Sequence, residues 1–149
     1  MQTNSSLSIL TQIGKIGESR YFILLMAAIW SFCTLVFLGA EFGLPVRLLI
    51  IPSAVFAIGL IGLIRNDSAT VTGLAHSTFA ISFMLAGFLL FGISPVFLAV
   101  CGTIIAVAKE YWFDLTYEQN PPQTVYDSTI DFVEYLVGIV IGLLLTQIR

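Results

Sequence analysis

Uninterrupted apolar runs of about twenty residues recur along the whole chain, and that length is what a helix needs to cross the ~30 Å hydrocarbon core of a bilayer. They cover roughly residues 21–39, 46–64, 73–92, 95–113 and 127–146. Membrane-spanning backbone must satisfy its own hydrogen bonds, which leaves helices or a closed barrel. Barrel strands are shorter and alternate in polarity, so continuous runs specify helices. The expected fold is therefore all-α, a polytopic transmembrane bundle of about five spans forming one domain over residues 1–149. Composition agrees: 58% of the residues are hydrophobic and 10% charged, against about 25% charged in soluble domains.

The first twenty residues are more polar. Leu7, Leu10, Ile13 and Ile16 recur every three residues, a spacing that suits a short interfacial helix. Gly14 and Gly17 weaken that helix and leave a disordered segment as the alternative. The run at 21–39 is longer than a signal-peptide core and is expected to be retained. Lys15, Arg20, Arg65 and Lys109 fall on one side of a five-span topology, against Arg47 and Arg149 on the other. The positive-inside rule then puts the N-terminus and the 113–126 loop in the cytoplasm. Six basic residues without a block, in a chain of net charge -3, exclude a nucleic-acid footprint. Cys33 and Cys101 sit in apolar runs and read as small hydrophobes.

The chemistry is concentrated in a few ionisable residues. His76 opens the third run, Lys109, Glu110 and Asp114 close the fourth, and Asp127, Asp131 and Glu134 open the fifth. With alternating spans, all of them arrive at one face of the membrane. On the fourth run Gly102, Ala106, Glu110 and Asp114 recur every four residues and share a stripe. On the fifth, Asp127, Asp131, Glu134, Gly138 and Gly142 share another, and the small residues permit close helix packing. The two stripes are expected to press together, with His76 close by. Intramembrane ionisable groups point to a site, here a ligand-binding one made of His76, Lys109, Glu110, Asp114, Asp131 and Glu134. A structural alternative stands beside it: such groups also sit in the headgroup zone, and Asp127 suits an N-cap. Trp112, Tyr111 and Tyr117 are expected in the aromatic belt.

The segment from His76 to Gly142 resembles the VanZ-like family of small bacterial and phage membrane proteins. That family places a His at a helix start, a Lys-Glu pair near the end of the next helix, then an Asp, an acidic or Asn residue and a Gly-xxx-Gly in the last. Here those elements are His76, Lys109-Glu110 followed by Asp114, then Asp131, Glu134, Gly138 and Gly142. The Arg often found before the last helix is absent between Asp114 and Asp127, which makes this a divergent relative. The resemblance implies an envelope protein, in a bacterial inner membrane, and supplies no reaction. Two functions follow as expectations: recognition of a lipid headgroup or cell-envelope lipid intermediate, or a non-catalytic structural subunit of a larger membrane complex or homo-oligomer. No cofactor motif is present. A carboxylate-rich cation site of Glu110, Asp114, Asp131, Glu134 and His76 is a minor alternative, because no ligand spacing is diagnostic of a metal.

Overall fold

In lipid the backbone of each apolar run hydrogen-bonds within itself, and the runs in the middle and at the end of the chain do form helices. A computed structural model describes residues 25, 26, 28–30, 44–65, 69–117 and 122–147. The 1–20 segment lies outside the described residues, as does most of the 21–39 run, of which Leu25, Met26 and 28–30 are helical. Four long helices follow: α1 (Leu44–Arg65), α2 (Ala69–Phe91), α3 (Pro95–Ala108) and α4 (Val125–Leu145). Without a break α3 continues as a π-helix over Lys109–Asp114 and a last α-turn over Leu115–Tyr117. No strand occurs among the described residues.

Three of these helices are long and apolar enough to cross a membrane: Ala69–Phe91, Pro95–Tyr117 and Val125–Leu145. In α1 the apolar stretch among residues whose side chains are described is Ile50–Ile61. The helices overrun the expected spans. α2 begins at Ala69, ahead of the apolar run expected from residue 73, and the fourth run stays helical to Tyr117, inside the expected 113–126 loop. Polar residues are tolerated in a first or last turn because that turn sits at the headgroups.

Between α2 and α3 the chain turns on Gly92, the described residue with positive φ, at +66°. Its N–H donates to Phe88 O at 3.1 Å, the left-handed cap for which glycine carries no Cβ penalty. Pro95 then starts α3 at a position where a missing N–H costs nothing. At the start of α4, Thr124 rather than Asp127 is the N-cap: its Oγ1 accepts from the Asp127 N–H at 3.2 Å. The signal is the Thr-x-x-Asp spacing, in which the acidic residue occupies the third helical position.

α2 is the centre of the bundle, packed against α1 and α4 and also against α3. Met84, Leu85 and Ser82 on it are fully enclosed. By contrast α3 exposes Val96, Phe97, Val100, Ile104 and Ile105, and α4 exposes Val133, Val137, Val140 and Leu144. Apolar surface of that extent would be an interaction or aggregation surface in water, whereas hydrocarbon is its natural solvent. The architecture is that of an integral membrane helix bundle.

The glycine faces settle the packing partner of α4. A Cβ on Gly138 would stand 2.7 Å from Ala80 Cβ and closer still to the Ser77 carbonyl oxygen, and one on Gly142 would meet Met84 Cβ at 2.6 Å. The Gly138–Gly142 face therefore lies on α2 and not on the Gly102–Ala106 stripe of α3, as expected from the sequence. Gly102 instead faces Ile139 and Phe83, with a built Cβ at 3.3 and 3.4 Å. Van der Waals contact is the main term available between helices in lipid, and α2 offers small Ser77 and Ala80 at the crossing, where the glycines fit.

Candidate functional site

Seven residues into α2, His76 reaches toward α4. Its Nδ1 is 3.0 Å from Glu134 Oε2, so an Nδ1–H donates there, and 3.6 Å from Asp131 Oδ1. The ring stacks on Tyr135 with centroids 4.5 Å apart and planes at 24°. Ser77 Oγ donates to the Glu134 carbonyl oxygen at 3.0 Å, and Gln123 Nε2 donates to Asp131 Oδ2 at 3.0 Å. His76 and the two carboxylates thus form one polar group across the α2–α4 contact, hydrogen-bonded through Glu134 and with Asp131 at ion-pair distance.

The π-helical segment of α3 supplies the other half. Lys109 Nζ donates to Glu110 Oε1 at 2.6 Å and to Asp114 Oδ2 at 2.5 Å. Residues five apart lie on different sides of an α-helix, about 140° apart at 3.6 residues per turn. An i→i+5 turn is wider and brings them back to one side. That is how one ammonium grips both acids, and how Ala106, Glu110 and Asp114 remain on a single buried stripe. π-turns are rare and concentrate at functional sites. Lys109 Nζ also lies 5.7 Å from the Tyr135 ring centroid, within cation–π range. Tyr135 is therefore common to both halves, with His76 on its face and Lys109 near its ring.

Burial is uneven. Glu110 and Asp114 are essentially inaccessible, at 0% and 1%, while the Lys109, His76, Asp131 and Glu134 side chains retain between 15% and 38% exposure. Glu110 Oε2, Asp114 Oδ1 and Ser128 Oγ are buried with no hydrogen-bond partner among the described residues. A buried acceptor left unpaired costs about 1–3 kcal/mol, and a charged one costs more. The cluster holds four carboxylates against one ammonium and one imidazole. His76, Glu110 and Asp131 stand six or seven residues from the nearer ends of their helices, about 10 Å at 1.5 Å per residue, and Asp114 stands three residues from its end.

All six expected ligand-binding residues, His76, Lys109, Glu110, Asp114, Asp131 and Glu134, come together here. Asp127 does not: it is exposed and tied to Thr124. The inward face of α4 runs through Ser128, Asp131, Tyr135, Gly138 and Gly142, so the stripe expected through Asp127 and Glu134 is rotated at its start. Spacings of three and four from Gly142 back to Ser128 carry that signal. Nothing in the sequence marks Tyr135 as the shared ring, and Gln123 sits in a connection whose geometry is non-local. Of the aromatic-belt residues, Trp112 and Tyr111 are exposed, whereas Tyr117 is buried against Phe113 and Trp112. The Tyr111 hydroxyl donates to Thr129 Oγ1 at 3.1 Å.

Two separate cavities border this cluster, one at Lys109 and Tyr135 and the other at Asp131 and Glu134. Toward the middle of the helices an apolar groove of about 120 Å³ is walled by Phe79, Phe83, Ile105, Tyr135 and Ile139 and reaches Lys109. Toward the helix ends a more open polar cavity of about 350 Å³ is lined by Thr72, Gln123, Asp127, Asp131 and Glu134. An aromatic series ties the region to the rest of the bundle, with Trp30, Phe56 and Phe79 at centroid separations of 5.0 and 5.3 Å and Phe79 6.4 Å from Tyr135. Comparison with family models, with curated proteins and with solved structures returns no match.

Proposed function

We propose that this chain is a five-span, VanZ-like protein of a bacterial inner membrane, and that it recognises a lipid headgroup or a cell-envelope lipid intermediate. The observation that carries the proposal is the pair of cavities, one apolar and one polar, that border the same polar cluster. The apolar groove is suited to part of a lipid tail and the polar cavity to a headgroup, and His76, Lys109 and Tyr135 belong to the cluster that both border. Such a combination of apolar walls and a few convergent polar groups is typical of ligand sites. Lys109 and His76 are the donors for an anionic group, while Asp131 and Glu134 orient His76. In the proposed topology the N-terminus is cytoplasmic, and the first two spans cover roughly 21–39 and 46–64.

Native mass spectrometry of protein released gently from its own membrane tests this, with wild type compared to Glu110→Gln/Asp131→Asn. A retained lipid that disappears in the double variant supports the proposal. Equal lipid retention by both rejects the pocket. Partner subunits without bound lipid would identify a structural component of a larger assembly instead.

A further inference from the structure

We infer that His76, Glu110 and Asp131 form a binding site for a divalent first-row transition-metal ion of the Zn2+ or Mn2+ type. One donor atom from each of the three lies within 4.8 Å of the others. Metal bonds to imidazole nitrogen and carboxylate oxygen are about 2.0–2.2 Å long, so donors on a tetrahedral ion stand about 3.3–3.6 Å apart. The present spread therefore closes with side-chain movements below about 1 Å, smaller than a rotamer change. His76 Nδ1 and Asp131 Oδ1, 3.6 Å apart, already have the separation of two donors on a shared ion.

A separate observation points to a ligand. Glu110 is fully buried, yet Lys109 occupies only its Oε1, and Oε2 has no partner among the described residues. A fully enclosed carboxylate oxygen without a donor, beside two further metal-ligating side chains, is what a site prepared for a cation presents. The charges agree. Asp114 is the second acceptor of Lys109 and offsets its ammonium, which leaves Glu110, Asp131 and Glu134 facing one imidazole. Glu134 Oε2 lies 3.0 Å from the same His76 Nδ1, so an ion held by that nitrogen takes the place of the proton now donated to Glu134 and leaves this carboxylate beside it as further negative charge. A mixed imidazole and carboxylate set favours Zn2+ or Mn2+ over Mg2+, which holds oxygen donors and water.

The inference also deepens the lipid reading, and in that part rests on it. Four carboxylates repel a phosphate, whereas a bound dication makes the same pocket an acceptor for one. Metal binding by itself does not depend on the lipid.

The test uses full-length protein in mild detergent, stripped with EDTA and titrated with ZnCl2, MnCl2 or MgCl2 by calorimetry, with metal content measured after desalting. One equivalent of Zn2+ or Mn2+ per chain is expected. Loss of an outer-shell partner alone weakens metal sites about 10–100-fold, so His76→Gln and Asp131→Asn are each expected to lose at least about 100-fold. Cys33→Ser/Cys101→Ser is expected to bind normally, which removes thiol-bound zinc as an explanation. Wild type that binds neither ion, binds only Mg2+, or binds equally well after both substitutions overturns the inference. The wild-type titration decides even where a variant fails to fold. Lipid retention measured before and after EDTA separates the two ideas. Metal bound without lipid leaves this site standing and the lipid reading fallen, and lipid retained by metal-free protein that takes up no ion does the reverse.

Discussion

Replacing Gly138 by alanine tests whether the α2–α4 contact is as close as the structure makes it. The added Cβ would meet Ala80 Cβ at 2.7 Å and the Ser77 carbonyl carbon at 2.9 Å. Carbon atoms attract best at about 3.5–4.0 Å, so the helices must part by about 1 Å where they cross. The obstacle is largely backbone, which cannot rotate away as a flexible side chain does. Overpacking costs about 1–3 kcal/mol, and an immovable neighbour places this case near the upper end. Alanine returns up to about 1 kcal/mol through its better helix propensity, leaving a net loss of about 2 kcal/mol. The same separation pulls the Glu134 carbonyl from Ser77 Oγ, now 3.0 Å away, and loosens His76 beside it. Reversible unfolding in mixed detergent micelles, followed by circular dichroism, reads the change. An alanine variant as stable as wild type, or more stable, would refute the close contact, because propensity alone predicts a gain. Gly142→Ala provides an internal comparison: its nearest obstacle is the Met84 side chain, which can yield, so its loss is expected to be smaller.

Lys109→Met leaves Glu110 and Asp114 buried with no cation. Breaking a buried ion pair costs about 3–5 kcal/mol, and the partial exposure of Lys109 points to the lower end; an unfolding midpoint equal to that of wild type would contradict the pairing. Thr124→Ala removes the cap of α4 at an expected cost of about 1 kcal/mol, and Thr124→Ser, measured in the same assay, restores most of it. Tyr135→Ala removes the ring shared by His76 and Lys109 and is expected to destabilise by about 3 kcal/mol. Tyr135→Phe keeps the ring and should unfold close to wild type if stacking, rather than the hydroxyl, is what matters.

Much of the site was legible because helical periodicity is local. His76, Lys109, Glu110, Asp114, Asp131 and Glu134 could be assigned to one end of the bundle by counting residues, since alternating spans of equal length return their ends to the same depth. The stripe on α4 was legible to within one position: Asp127 was expected either on that stripe or as the N-cap, and it is instead the residue whose N–H the Thr124 cap accepts. A Thr three positions before it was the better guide, because an N-cap needs a side-chain oxygen outside the helix. The partner of the glycine face was not legible. Small residues on α2 and on α3 are equally suitable in sequence, and only the crossing geometry distinguishes Ser77 and Ala80 from Gly102 and Ala106.

By itself, then, the sequence determined the helices and their approximate limits, because in hydrocarbon each segment must satisfy its backbone within itself and that requirement is local. It also determined that ionisable groups collect near one end of α2, α3 and α4. Tertiary structure alone decided who meets whom between helices, His76 with Glu134 and Tyr135 and Gly138 with the Ser77 backbone, while Lys109 meets both Glu110 and Asp114 within its own helix. The last of these requires a π-turn that widens the helix over Lys109–Asp114. The energy of burying two carboxylates against α4 is a property of the assembled bundle, not of any six residues read alone.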